Sequence, residues 1–205
     1  MRSPLLMTAF VMLFSAGAAV ADDWNGGYVG LSLGYTDASD AWNEGGSPTD
    51  PKLSPEGASF AAYAGYGIDL TGLYLGVEGD ITFPDLSDNA TCDVLIECSL
   101  DINLMTSFRA RAGFALGHTL VYGTGGVALG YIQADSDEFG GTSASKTLSG
   151  WTLGTGIEYQ AAESVRFGIE YRHSDYGDAR FDLGTPTGDV TLQTDEVRLR
   201  LGIAF

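Results

Sequence analysis

From Trp24 onward, apolar residues alternate with polar or small ones, and helical spacing is almost absent. An alternation of period two marks a strand with one face in an apolar setting. Val29, Leu31, Leu33 and Tyr35 form the first such stripe, and Phe60, Ala62, Ala64 and Tyr66 the second. Leu73, Leu75, Val77 and Ile81 follow, then Ile102, Leu104, Phe108, Ala110 and Ala112. Trp151, Leu153, Ile157 and Tyr159 make a sixth strand, and Val165, Phe167, Ile169 and Tyr171 a seventh. Val197, Leu199, Leu201, Ile203 and Phe205 close the chain. The fifth strand, over about 119–132, is ambiguous: Leu120 and Tyr122 favour one face, while Val127, Leu129 and Tyr131 favour the other. A bulge at Gly125-Gly126 would reconcile them. The stretch from Ala112 to Ala134 carries no formal charge and could be read as a membrane helix, but its six glycines weigh against that. The pattern predicts eight strands.

The connections alternate in length. Those near 68–72, 115–118 and 160–164 are tight, and those near 37–56, 83–100, 133–146 and 173–191 are long and acidic. This is the rhythm of a transmembrane β-barrel of the Gram-negative outer membrane, with short periplasmic turns and long extracellular loops. The fold class expected is all-β: an eight-stranded antiparallel up-and-down transmembrane β-barrel over residues 22–205. Residues 1–21 read as a cleaved signal peptide. Arg2 precedes an apolar run from Leu5 to Phe14, and small residues end in Ala19-Val20-Ala21. The run is too short to span a bilayer as a helix.

Charge sharpens the picture. The net charge is −17, from 10 basic and 27 acidic residues, which argues against nucleic acid as a partner. Nine basic groups remain once the leader is removed. Six of them, Arg109, Arg111, Arg166, Arg172, Arg198 and Arg200, stand opposite the apolar stripes, together with Glu78, Asp80, Glu158, Glu170 and Glu196. A charge facing mid-bilayer costs about 2–4 kcal/mol. These residues are therefore assigned to the lumen, as a paired network that braces and plugs it. The arginine fork suits such pairing better than lysine does. Aromatics sit at both ends of the apolar face: Phe114, Tyr122, Tyr159 and Phe205 near the short turns, and Tyr35, Phe83, Trp151 and Tyr171 near the long loops. Two interfacial girdles are expected there.

Several segments then resemble a known family. They are Trp24 to Gly30, Gly76-Val77-Glu78-Gly79-Asp80-Ile81, Tyr122 to Ala128, Gly150-Trp151-Thr152-Leu153-Gly154, Glu170-Tyr171-Arg172 and the terminal Phe205. They are similar to the small outer-membrane β-barrel family, which includes the 25- and 31-kDa immunogenic proteins of α-proteobacteria and the opacity-type and OmpA-type eight-stranded barrels. The resemblance covers residues 24–205. It implies location in the cell outer membrane. It also implies that Val197, Leu199, Leu201, Ile203 and Phe205 form the signal read by the barrel-assembly machinery, with periplasmic chaperones as earlier partners. No peptidoglycan-binding domain is expected after Phe205.

Candidate chemistry is sparse. His118 falls in a turn without a nucleophile nearby, and His173-Ser174-Asp175 would point its members to opposite faces of a strand. Gly123-x-Gly125-Gly126 lacks the Lys and helix of a phosphate loop. Asp135-Ser136-Asp137-Glu138 lacks the ligand spacing of a calcium loop. No catalytic, cofactor or metal site is expected. Cys92 and Cys98 share one long loop of an exported chain and are expected to form a disulfide. Sixteen of the 27 carboxylates fall in the long loops, an acidic crown that could meet lipopolysaccharide through divalent cations. The expected role is that of a monomeric structural and surface-interaction barrel in contact with outer-membrane lipid, lipopolysaccharide, host or phage. A narrow or gated porin-like channel is the alternative; a barrel enzyme acting on lipid or peptide and a soluble lipocalin-type binder are weaker ones. Eight strands leave a lumen that side chains just fill, although the lumen glycines could leave room for water.

Overall fold

A computed structural model describes residues 24–43, 56–93, 96–136, 142–181 and 188–205. Side chains are described within 24–38, 56–85, 104–131, 147–177 and 193–205. The expected leader lies outside these residues.

The described chain is a closed antiparallel sheet. Its segments are β1 (Gly26–Asn43), β2 (Glu56–Leu70), β3 (Leu73–Pro84), β4 (Leu86–Asp93), β5 (Ile96–Leu116), β6 (Thr119–Ser136), β7 (Thr142–Ala162), β8 (Val165–Phe181) and β9 (Gly188–Ala204). Nine segments make eight barrel strands, because β3 and β4 continue one another across Asp85. Residues 105–114 of β5 pair with β3, and residues 96–102 pair with β4. β1 closes onto β9 from Tyr28↔Ala204 to Asn43↔Asp189. At the seam, the Gly27 N–H donates to the Phe205 carbonyl at 3.0 Å, and the Phe205 N–H donates back at 2.9 Å.

Three tight turns lie at one end. Leu70 pairs with Leu73 across Thr71 and Gly72, which both have positive φ, and the Gly72 N–H donates to the Asp69 carboxylate at 2.6 Å. Positive φ at both central positions suits the twist of a two-residue hairpin. Leu116 pairs with Thr119 across Gly117, also at positive φ. At the other end, the expected long loops are largely strand. β1 runs to Asn43, β4 and β5 fill most of 83–100, β6 reaches Ser136, and β7 begins at Thr142. Beyond the apolar band a strand needs only backbone pairing, so its alternation no longer shows in the sequence.

The wall is inverted relative to a soluble barrel. Leu33, Leu199, Phe108 and Phe114 are more than 60% exposed, whereas Arg109 and Glu170 are fully buried. The apolar band meets charge at one edge, where Asp37, Glu56 and Asp195 stand in one row on the outer face of β2, β1 and β9. Exposed Tyr35, Phe83, Trp151 and Tyr171 lie just inside that edge, and Phe114, Tyr159 and Phe205 line the other.

β6 corrects two expectations. It pairs without a register shift with β7 throughout, and with β5 from Thr119 to Tyr131, so no bulge interrupts Gly125-Gly126. Val121, Val127, Leu129 and Tyr131 face outward, and Leu120 and Tyr122 face inward. Tyr122 therefore belongs to no girdle. It packs with Trp24, Tyr74 and Leu120 in an apolar floor of the lumen, which is why an apolar residue on β6 can face either way.

The glycines explain how the lumen is filled. A Cβ at Gly65 would lie 2.3 Å from the Tyr28 hydroxyl, one at Gly30 2.3 Å from the Tyr63 ring, and one at Gly156 2.5 Å from the Tyr122 hydroxyl. Each tyrosine lies over the glycine directly opposite it on the neighbouring strand. The space left by the missing side chains is occupied by rings. Gly126 is constrained by backbone, since its Cβ would lie 2.0 Å from the Phe108 carbonyl oxygen, whereas Gly123 faces outward with nothing nearer than 3.8 Å. Gly126→Ala is expected to destabilise the barrel by about 1–3 kcal/mol, the usual cost of overpacking, while Gly123→Ala leaves it unchanged. Urea titration of the heat-modifiable band on gels measures the difference.

Candidate functional site

The lumen holds a mesh of ionised side chains. Strands β3, β5, β7, β8 and β9 supply it, because on each of them the inward positions of the alternation carry Arg, Glu or Asp. Glu78 lies at the centre. Its carboxylate accepts from Arg109 Nη2 at 2.6 Å, Arg111 Nη1 at 3.0 Å, Arg200 Nη2 at 2.5 Å and the Tyr28 hydroxyl at 3.0 Å. Glu170 accepts from Arg109 Nη1 and Arg200 Nη1, both at 2.8 Å, and from the Tyr122 hydroxyl at 2.7 Å. Glu158 meets Arg111 Nη2 at 2.8 Å and Arg200 Nε at 3.1 Å. Toward the outer end, Asp80 accepts from Arg172 Nη1 at 3.0 Å and from the Ser107 hydroxyl, and lies 3.2 Å from Arg109 and 3.4 Å from Arg198. Glu196 meets Arg172 at 3.0 Å and Arg198 at 2.7 Å, and accepts from the Ser59 hydroxyl.

All eleven charged residues assigned to the lumen are buried in it, and ten of them are joined by the contacts just given. Arg166 lies lower, with its guanidinium 4.5 Å from the Trp24 ring centroid. Arg111 stacks 3.7 Å from the Tyr122 ring and Arg200 4.0 Å from the Tyr63 ring. Such contacts draw a desolvated cation to an aromatic face. Trp24 closes the floor. It is fully buried, donates from its indole nitrogen to the Gly117 carbonyl at 3.0 Å, and meets Tyr74 edge-on at 6.5 Å.

The sequence pattern assigns no lumen role to Trp24, Tyr28, Tyr63, Tyr74, Tyr122, Ser59, Thr82 or Ser107. Strand parity is the signal that could find most of them: Tyr74 shares a face with Glu78, and Tyr63 shares one with Gly65. Trp24 precedes the first strand and carries no such signal.

The other candidate groups are dispersed. His173 faces outward and pairs with Asp195 at 3.0 Å, whereas Ser174 faces inward and donates to the Thr152 hydroxyl at 3.0 Å. Asp175 accepts from the Gly177 N–H at 2.8 Å. No nucleophile and base meet here. Asp195 stands outside the apolar band. The Tyr171 hydroxyl, donating at 2.5 Å, and His173 hold its carboxyl below the ordinary range. His118 lies in its turn, 6.2 Å from the Tyr159 ring. Gly123-x-Gly125-Gly126 is strand. Cys92 lies on β4 and Cys98 on β5, with Cys98 opposite Ala90, but their side chains lie outside the described residues, as do those of Asp135–Glu138. Val197, Leu199, Leu201, Ile203 and Phe205 all face outward.

An apolar exterior around buried charge is stable only in hydrocarbon, and comparison with known proteins agrees. The family model described as outer membrane protein beta-barrel domain matches residues 6–205. The chain belongs to this family. It is similar to the 25 kDa outer-membrane immunogenic protein of Brucella abortus, at 28% identity over 100% of this chain and 99% of that one. It is similar also to the 22 kDa outer membrane protein of Rhizobium leguminosarum, at 27% identity over 90% and 80% of the two chains. Neisserial surface protein A shares the fold, with a TM-score of 0.52 and 18% identity over 87% of this chain and 97% of that one. The protein is thus an outer-membrane barrel.

Because Glu78 touches three arginines, its loss strands buried charge. Glu78→Gln is expected to cost about 3–5 kcal/mol, read as a lower temperature for loss of the heat-modifiable form. Arg111→Gln added to it costs less than the sum of the two single changes, since one mesh is disrupted twice.

Proposed function

We propose that this protein is a closed, monomeric outer-membrane barrel whose role is structural and at the cell surface. The observation that carries this reading is the filled lumen. From Trp24 at the periplasmic floor, through the rings of Tyr74 and Tyr122, to the Asp80–Arg172–Arg198–Glu196 layer, each level is occupied by buried side chains. The mesh acts as brace and plug. The polar extensions beyond the apolar band act as the contact surface. Their carboxylates suit divalent cations that bridge to lipopolysaccharide phosphates, or a partner on a host cell or phage. The outward stripe from Val197 to Phe205 fits recognition by the barrel-assembly machinery after chaperone delivery. The Cys92–Cys98 disulfide belongs to the same proposal, because both residues lie on the β4–β5 hairpin of an exported chain.

Planar bilayers test the plug. The wild-type barrel is expected to pass no steady current, and Arg198→Ala to raise conductance while lowering stability. A wild-type protein that conducts as an open channel would replace this reading with the porin-like one. Thiol titration of unreduced, denatured protein tests the disulfide: no free thiol is expected, and two would refute it.

A further inference from the structure

The sheet parts between β7 and β8 at the end away from the tight turns. Their ladder ends at the pair Trp151↔Asp175. Among the described residues, β7 beyond that point pairs only with β6, and β8 only with β9. The parting coincides with a bulge. On β8 the chain takes three steps, from Asp175 to Asp178, where β9 takes two, from Gln193 to Thr191, so Tyr176 and Gly177 fall between ladder pairs. A bulge of this kind bends its strand and re-aims a side chain.

Here the bend runs inward. A Cβ at Gly150 on β7 would lie 1.8 Å from the Asp175 carbonyl oxygen and 2.6 Å from the Tyr176 Cα, so β8 crosses over a position that only glycine allows. Tyr176 then reaches past β7 to β6, where its ring lies 3.4 Å from the place a Cβ would take on Gly130. It is 4% exposed and is the next inward side chain of β8 after Arg172 and Ser174. Two glycines on two strands thus receive one tyrosine. Gly177 completes the bulge at a φ of 68°, which suits glycine. Its N–H donates to Asp175 Oδ1 at 2.8 Å, and Gln193 Nε2 donates to Asp175 Oδ2 at 3.4 Å. Asp175 therefore latches the bulge, taking the place of a ladder bond.

We propose that Tyr176 is a hinged cap on the outer end of the lumen, given the filled lumen proposed above. Closed, the ring sits on Gly130 and shields the Arg172–Glu196 pair beneath it. Open, the bulge straightens, the ring leaves Gly130, and water reaches the layer of Asp80, Arg172, Glu196 and Arg198. The rest of the mesh and Trp24 keep the other end shut, so the open state is a one-sided vestibule and not a channel. The hinge is placed where it costs least. Tyr176 and Gly177 make no ladder pair, and β8 beyond them is held along one edge only, the kind of segment that opens locally while the rest of the barrel stays intact.

The test uses the full mature chain with Cys92 and Cys98 changed to serine, folded in detergent micelles, with heat-modifiable migration as proof of folding. Thr36→Cys, buried on the inner face of β1 opposite Glu196, reports on the outer end. Leu120→Cys, buried in the floor, reports on the other. Each is labelled with a small charged methanethiosulfonate. With the cap intact, Thr36→Cys is expected to react slowly. Tyr176→Ala, and Gly130→Leu, which takes the seat of the ring, are expected to speed it severalfold. Asp175→Ala speeds it as well, whereas Asp175→Asn keeps the oxygen acceptor for Gly177 and retains the slow rate. Leu120→Cys stays unreactive throughout. A Thr36→Cys rate that Tyr176→Ala and Gly130→Leu leave unchanged overturns the cap, and equal acceleration at Leu120→Cys overturns it in favour of general loosening. A Thr36→Cys that never reacts while Tyr176 is present overturns the hinge. Planar bilayers keep this separate from the plug: Tyr176→Ala is expected to pass no steady current, and a current gained by that variant alone overturns the one-sided vestibule, whereas a current through the wild-type barrel refutes the plug whatever the labelling shows.

Discussion

Charge that has been taken out of water must be met by opposite charge, and this barrel is organised around that demand. Desolvating an isolated carboxylate or guanidinium costs several kcal/mol even after relaxation. Six arginines and five carboxylates face the lumen, close enough to balance that the interior carries little net charge. The arginine fork is what makes the match possible at this density. Arg109 reaches Glu78 with one terminal nitrogen and Glu170 with the other, and Arg172 divides itself in the same way between Asp80 and Glu196. A lysine would offer one point charge where two directed donors are needed.

Shape follows from that chemistry. A guanidinium needs a face to lie on and room to extend, and eight strands enclose little room. Glycine on one strand and tyrosine on the next solve both problems. The ring occupies the space above the glycine, offers its face to an arginine and turns its hydroxyl to a carboxylate. Tyr122 does all three: it covers Gly156, stacks on Arg111 and donates to Glu170. The high glycine content is in part the complement of the tyrosines, whose rings take up the space that the glycines leave.

This division explains what was legible in the sequence. The apolar stripes were plain because lipid demands them along the whole wall, and the two-residue turns were plain because their geometry demands Gly and polar residues. The inward face of β3, β5, β7, β8 and β9 could be read because each carries charge on the face opposite its apolar stripe. β6 could not, since its inward face carries Leu120, Tyr122, Gly126 and Ala128 and differs little from its outward face. Trp24 was hidden for a related reason, as a residue outside any alternation reveals its burial only through the floor it meets. The strand extensions beyond the band escaped notice because backbone pairing leaves no mark on side-chain pattern.

The connectivity of the mesh adds a constraint on assembly. Some of its pairs are ladder neighbours, such as Glu78 with Arg109 and Arg172 with Glu196. Others cross the lumen. Glu78 on β3 binds Arg200 on β9, Asp80 on β3 binds Arg172 on β8, and Arg109 on β5 binds Glu170 on β8. These struts join the early part of the chain to its last strands, so the set is complete only once β9 is in place. Contacts of such sequence separation are reached only after the loop between them has been closed. Until then the carboxylates of β3 and the arginines of β9 must stay hydrated or find other partners, and an unclosed sheet in hydrocarbon would expose them at prohibitive cost. Closure, desolvation and pairing are therefore one event, and the last strand, apolar on its outer face and carrying Glu196, Arg198 and Arg200 on its inner face, is the element that completes all three.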